Sequence, residues 1–368
     1  MKKEHPLYQL IVMTAFIGIL LTGAIFFVTN AAFEQKTTVA QSCYDGSVIE
    51  GNTPEDCFSR AIYQNATSQK MIREYQYRLF GIIDGRDVLV GKNDFLFETL
   101  NEETGYNYLE DYFGRLAFTA EESAQILENL KSRKQSYAQR GAEYLLVILP
   151  NSQTVYSENM PTYLGDIGTT RLDRLESYLL SGGFSSFVDL TDELVSCKEY
   201  GTLYNNTENS LNSLGFYYSY LCVCRRFSSI VMSDSLLIAR GDLSFYQYLT
   251  TGKTAARKAG IEDVAQNLTV SLSNSTKLKY HVQQTGGRTT KTIMKAPFDS
   301  PDIYKTPSLL LQFSSPWERA QLEPFFSNTF LHVTYQTDLA DDAEIFAEAS
   351  PDVVVQFIHE SELSLLLG

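Results

Sequence analysis

The sequence predicts an α/β protein built on a parallel sheet and preceded by one membrane-spanning helix. Three observations carry that expectation. A continuous apolar run at 144–149 and largely apolar runs at 308–313 and 352–358 alternate with longer helical patterns, the signature of a βαβ layer fold. A run that is apolar at every position, rather than at alternate ones, belongs to the buried middle of a parallel sheet. Residues 8–28 are nearly all apolar, and roughly 20 such residues cross a bilayer.

Lys2 and Lys3 precede the apolar stretch, so the charge bias keeps the amino end in the cytoplasm and sends the bulk of the chain outside. A cleaved signal peptide competes with this reading, because small residues follow at 29–32. Its apolar core usually spans only about 7–15 residues, which favours an uncleaved single-pass anchor in the cell membrane. The expected organisation is a cytoplasmic tip and anchor over 1–30 and an extracytoplasmic polar stalk over 31–76. A folded domain over 77–368 follows, with a polar insertion at about 249–307.

Charge narrows the function classes. With 44 Asp plus Glu against 30 Lys plus Arg, the chain is a poor partner for nucleic acid or anionic lipid heads. The 23 Tyr and 22 Phe are expected mostly to pack a core, with exposed ones able to stack on sugar rings. Five cysteines in an exported chain suggest disulfides, and the odd number leaves one over. Cys43 and Cys57 bracket a short polar segment that a local bridge would stabilise. Cys222 and Cys224 share a predicted helix and point in different directions, so at most one meets Cys197. Their Cys-x-Cys spacing lacks a second ligand pair or a nearby His, which argues against zinc; no organic cofactor motif is present either.

Along the chain, 86–97 reads as a strand, a turn at 91–94 and a second strand. Thr119 and Glu122 form a capping-box start to a helix running to about Arg140, and Gly141 ends it. The strand at 144–149 stops at Pro150. A helix over 169–180 halts at Gly182 and Gly183, and 184–190 gives another short strand. A long aromatic-rich helix is expected over 213–232. The carboxyl part alternates strand 308–313, helix 316–327, strand 330–335, helix 339–349 and strand 352–358.

Four stretches recur in a fixed order. Gly91-Lys92-Asn93-Asp94-Phe95-Leu96-Phe97 is first, and Tyr144 to Asn151 leads into Thr154-Val155-Tyr156 and Met160-Pro161. Third is Thr207-Glu208-Asn209-Ser210-Leu211-Asn212-Ser213-Leu214-Gly215, and fourth is Ser308 to Ser315. Gly241-Asp242-Leu243 and Pro351-Asp352-Val353-Val354-Val355 add to the pattern. Together they resemble the SGNH hydrolase-like proteins of the alginate O-acetyltransferase (AlgX/AlgJ-like) and DHHW type. The resemblance implies a three-layer, flavodoxin-like parallel sheet and spans roughly residues 81–363.

In that family the third motif reads Thr-Asp-x-His-Trp-Asn and the fourth ends in Asp-Ser-Phe. Here Glu208 stands in place of the Asp, Ser210 of the His and Leu211 of the Trp, while Asn212 is kept. In the fourth motif Phe313 replaces the Asp and Ser314 falls on the nucleophile. Serine attack needs a base to accept its proton, and Ser210 cannot serve. Among four histidines, His359 alone follows a strand that should reach the same carboxyl edge as Ser314. A relocated Ser314–His359 pair, oriented by Glu360 or Glu362, is one expectation; the other is that Ser314 or Ser315 only caps the next helix.

The resemblance places Asn212, Tyr156 and Ser210 near substrate, with Glu208 the carboxylate of the degenerate catalytic set. Two functions compete. In one, the protein binds a cell-surface polysaccharide or scaffolds its biosynthesis or O-acetylation. In the other, it is an active, divergent O-acetyltransferase or esterase using Ser314. The resemblance also implies a membrane-bound O-acyltransferase as partner. A receptor or adhesin using exposed aromatics is a third reading without a motif in its favour.

Overall fold

The computed structural model describes residues 66–83, 87–102, 104–227, 237–273, 281–283, 290–294 and 306–368. The anchor at 8–28, Cys43 and Cys57 lie outside the described residues. Among the described residues no helix is long and apolar enough to cross a membrane. The chain divides into two compact units between Tyr75 and Gln76. Helix α1 (Ala66–Phe80) runs through that point and has no buried residue.

The second unit opens with the hairpin read from the sequence, β1 (Val88–Val90) paired with β2 (Leu96–Glu98). Asn93 and Asp94 make its turn at φ 54° and 61°, a left-handed conformation that Asn and Asp tolerate better than most residues. After the short helix α2 (Tyr108–Tyr112) comes α3 (Ala120–Gln139), whose capping box between Thr119 and Glu122 forms as read. Strand β3 (Glu143–Leu149), helix α4 (Ser152–Val155), α5 (Arg171–Ser181) and β4 (Phe187–Asp189) follow. Helices α6 (Thr191–Cys197) and α7 (Ser213–Arg226) complete the first half. The helix expected over 213–232 is described as far as Arg226, and residues 228–236 lie outside the description.

In the insertion, β5 (Phe245–Thr251) and β6 (Gln266–Leu272) form an antiparallel hairpin joined through helix α8 (Thr254–Lys258). Ala255, Ala256 and Ile261 pack under it against Val88 and Leu96. Strands β7 (His281–Gln283) and β8 (Thr290–Met294) then lead to β9 (Leu309–Phe313), α9 (Pro316–Thr329), β10 (His332–Gln336), α10 (Ala343–Ala349) and β11 (Val353–His359). Helix α10 starts later than expected because Asp342 caps it, accepting from Glu344 N and Ile345 N. A 3₁₀ helix over Glu360–Leu367, unforeseen in the sequence, ends the chain.

The main sheet runs β4-β3-β11-β9-β10-β8-β7. Its first five strands are parallel, and β8 and β7 extend it antiparallel. Successive residues point to opposite faces, which gives two cores. Val147, Leu149, Leu311, Phe313 and Phe357 pack toward Tyr217 and Tyr220 of α7 and Phe325 and Phe326 of α9. Leu146, Ile148, Leu310, Val354 and Ile358 pack toward Ile126 and Leu130 of α3 and Leu175 of α5. The largest fully buried side chains are all Tyr or Phe, so the abundance of aromatics is mainly a matter of core packing. Leu149 lies opposite His359 and Phe313 opposite Phe357, so β3, β9 and β11 emerge side by side at one carboxyl edge.

Gly215 in the first turn of α7 is held by contact. A Cβ there would lie 2.4 Å from Leu203 O and 2.6 Å from Leu211 Cδ2. Gly215→Ala is expected to destabilise the fold by about 1–3 kcal/mol, read as a lower denaturation midpoint in urea; an unchanged midpoint would show that the loop yields freely.

Candidate functional site

The sequence after β9 fixes where Ser314 points. Ser315, not Ser314, is the N-cap of α9: its Oγ accepts from Trp317 N at 3.2 Å, and Pro316 takes the first helical position. Ser314 is thereby released from capping, and its Oγ donates to Glu362 Oε2 at 2.6 Å. Glu362 sits in the 3₁₀ helix that follows β11.

His359 is at the same edge but faces another way. Its Nδ1 lies 2.9 Å from Ser361 Oγ and accepts from Ser361 N at 3.4 Å, and no hydrogen bond joins it to Ser314 among the described residues. Burial lowers its pKa to about 4, so the ring is neutral at pH 7 although the residue keeps a partly exposed edge. The relocated pair expected from topology therefore takes a different form. Adjacent strands do bring the two residues to one edge, but the carboxylate that reaches Ser314 is Glu362, one turn further on.

Glu318, in the first turn of α9, is 7% exposed, and its Oε2 has no hydrogen-bond partner. Burial, and after it the charge of Glu362, push its pKa up to about 8. At neutral pH Glu318 therefore holds a proton close to the Ser314–Glu362 pair.

A buried network underlies this edge. Glu360 is 0% exposed, and its carboxylate accepts from Asn151 N at 2.6 Å and Thr154 Oγ1 at 3.0 Å. Burial first, then the charge of Asp111, push its pKa up to about 8. Asn151 Nδ2 donates to the Tyr106 hydroxyl at 3.3 Å, which in turn donates to Asp111. Asp111 Oδ1 accepts from Arg171 N at 2.7 Å, and the Arg171 guanidinium lies 4.6 Å from the Tyr106 ring centre. Asn209 ties in the third motif, accepting from Ser152 N at 2.6 Å and donating to Asn151 Oδ1 at 3.1 Å.

The remaining motif residues serve the framework. Asn205 Nδ2 donates to Glu208 Oε1 at 2.7 Å and to Ser210 Oγ at 3.2 Å, a loop tie in place of an acid–imidazole pair. Burial raises the pKa of Glu208, and its hydrogen bond with Ser210 opposes that rise. Asn212, expected near substrate, instead caps α7: its Oδ1 accepts from Leu214 N and Gly215 N at 2.9 and 3.1 Å, and its Nδ2 donates to Thr202 O at 2.7 Å. Tyr156, also expected near substrate, is 6% exposed, accepts from Leu203 N at 2.9 Å and stacks on Phe95. Sequence reading missed Glu318 and the Tyr106–Asp111–Arg171 chain. A carboxylate placed straight after a buried strand, as Glu360 is, was the available signal.

No family model matches the chain, and no curated protein matches it. Among solved structures, Bacillus cereus PatB1 is similar over 76% of this chain and 97% of its own, at 13% identity and a TM-score of 0.51. The same protein with a sulfonyl adduct gives 12% identity and 0.51 over the same shares. The chain has the fold of PatB1. A DHHW family protein from Eubacterium siraeum covers 76% of this chain and 95% of its own at 11% identity and 0.49. The O-acetyltransferase domain of Pseudomonas putida AlgJ covers 76% and 92% at 14% and 0.44. At such identities the likeness to PatB1 is one of fold alone.

Glu318 gives a pH signature. Its folded pKa, about 8, lies above the ordinary 4.5, so the folded state holds the extra proton and stability falls as pH rises through that window. His359, lowered from 6.5 to about 4, acts on the other side, removing stability as pH falls through its window. Glu318→Gln is expected to raise Tm relative to the unaltered protein at pH 9 and to change it little at pH 4, as measured by calorimetry. An equal Tm difference at both pH values would contradict a buried, protonated Glu318.

Proposed function

We propose that this is an extracytoplasmic SGNH-like protein, held at the cell membrane by residues 8–28, that serves cell-surface polysaccharide biosynthesis or O-acetylation by binding a glycan rather than transferring an acyl group. The observation that carries the reading is the partner of Ser314, the Glu362 carboxylate at 2.6 Å. A serine hydroxyl is a feeble nucleophile without a base, and carboxylates are ordinarily far weaker bases than imidazole. The position that holds the imidazole in the resembled family holds Ser210, which is tied to Asn205.

Binding groups are present at the same edge. Trp317 is the chain's single tryptophan; it is 51% exposed in the first turn of α9, three residues from Ser314. An exposed indole offers a flat apolar face to a sugar ring, and the half-buried Ser314 and Glu362 supply hydroxyl and carboxylate groups for the ring's hydroxyls. The link to polysaccharide rests on the motif resemblance, as does the proposed partner, a membrane-bound O-acyltransferase.

One contact favours a second reading. The short Ser314–Glu362 hydrogen bond is also the geometry of a serine whose proton passes to a carboxylate. Ser314 would then take an acyl group and pass it to a sugar hydroxyl or to water, with Glu362 as the base.

Intact-mass spectrometry after exposure to a fluorophosphonate and to an activated acetyl ester separates the two. The binding reading predicts no adduct on the folded protein. An adduct on Ser314, absent in Ser314→Ala, overturns it; loss of that adduct in Glu362→Gln would make Glu362 the base, and loss in His359→Ala would make it His359.

A further inference from the structure

The cysteines of α6 and α7 take no part in the edge described above, and the two helices place them in register. At one end of the α6–α7 contact, Arg226 of α7 pairs with Glu193 of α6 at 3.6 Å. At the other end, Tyr200, in the turn that continues α6, stacks on Tyr218 of α7 with ring centres 5.5 Å apart and planes 26° apart. The lower-numbered residue of one helix meets the higher-numbered residue of the other at each end, so the helices run antiparallel.

Between these two contacts lie about two turns of each helix. Cys197 is four residues after Glu193 and three before Tyr200. Cys222 is four residues before Arg226 and four after Tyr218. Residues three or four apart share a helix face, so the two cysteines occupy the facing positions midway between the ion pair and the stacked tyrosines. Cys224, two residues on, is turned away and is 2% exposed. Close-packed helix axes lie about 8–10 Å apart with Cα atoms about 2.3 Å from each axis. Facing Cα atoms in such a pair come within about 3.4–5.4 Å of each other, a range that overlaps the roughly 4.4–6.8 Å that a disulfide spans.

We propose that Cys197 and Cys222, free thiols in this structure, are a disulfide-forming pair that staples α6 to α7. Their surroundings agree with the facing position. The Cys222 thiol is pushed up to about 12, by burial first and then by Glu193 and Cys197, and burial also raises Cys197. Cys197 is the more exposed of the two and is therefore the first to react with an external oxidant.

That oxidant is a disulfide, from a small molecule or from a thiol–disulfide exchange protein. The Cys197 thiolate attacks one of its sulfurs and releases a thiol, giving a mixed disulfide. The Cys222 thiolate then attacks the Cys197 sulfur and releases the second thiol. The protein loses two electrons and two protons, and the external disulfide becomes two thiols. With Cys43 and Cys57 paired as the sequence suggests, the odd cysteine is Cys224, buried and unreactive as a neutral thiol.

The test is exposure of the purified whole chain to oxidised glutathione, blocking of free thiols with N-ethylmaleimide in denaturant, and peptide mapping with and without reduction. The expected result is a cross-linked peptide containing Cys197 and Cys222 that disappears on reduction, with Cys224 carrying the maleimide. Cys224→Ser should leave the cross-link unchanged, Cys222→Ser should abolish it, and Tm should fall when the bridge is reduced. Maleimide on both Cys197 and Cys222 after oxidation, or a cross-link from Cys197 to Cys224, would overturn the proposal.

Discussion

The carboxyl edge of the sheet depends on one buried carboxylate. Glu360 is sealed from water, and an ionisable group in that position is tolerated only when hydrogen-bonded or neutralised. It accepts from the backbone of Asn151 and the hydroxyl of Thr154, so the loop after β3 and the turn after β11 are locked together. Asn209 then fastens the third motif to the same loop. Because Glu360 fixes the start of the 3₁₀ helix, Glu362 two residues later faces Ser314, and His359 one residue earlier is left facing Ser361. The chemistry available at Ser314 is thus set by a tie that never touches it.

That chemistry is acidic. Glu318 and Glu362 adjoin Ser314, and Glu360 lies beneath. Burial keeps protons on Glu318 and Glu360 near neutral pH. An anionic group entering there meets the Glu362 charge in a partly desolvated setting, where Coulomb repulsion is stronger than in water. A ligand rich in hydroxyl groups and without charge meets acceptors, a donor and the exposed face of Trp317. A neutral stretch of glycan fits these groups better than an acidic one.

The layer fold was legible because its strands are apolar at most consecutive positions, with Gln312 and Gln356 the buried polar exceptions in β9 and β11. Burial on both faces of β3, β9 and β11 requires that pattern, and the runs at 144–149, 308–313 and 352–358 carry it openly. Caps were legible for the same local reason, as with Thr119 and Glu122. The partner of Ser314 was not legible, because Glu362 lies 48 residues away in sequence and its direction depends on a 3₁₀ helix without a periodic signal. Asn212 and Tyr156 show the converse. Their motif positions suggested substrate, yet a buried asparagine before a helix satisfies amide groups that would otherwise be orphaned, and a buried tyrosine hydroxyl finds a backbone partner.

The insertion had no chemistry in its sequence, and its alanines explain why. Ala255, Ala256 and Ile261 pack close beneath the β1–β2 hairpin, a role that small residues fill without leaving a motif. Its last strands lengthen the main sheet beyond β10.

The most direct test of glycan binding at this edge is a fluorescence titration of the whole chain with neutral and with uronic-acid-bearing oligosaccharides, since Trp317 is the single tryptophan. Binding beside Ser314 predicts a saturable change in Trp317 emission with neutral oligosaccharides, weakened in Glu362→Gln and smaller for the acidic ones. A flat titration from a folded protein, or a stronger response to the acidic oligosaccharides, would contradict it.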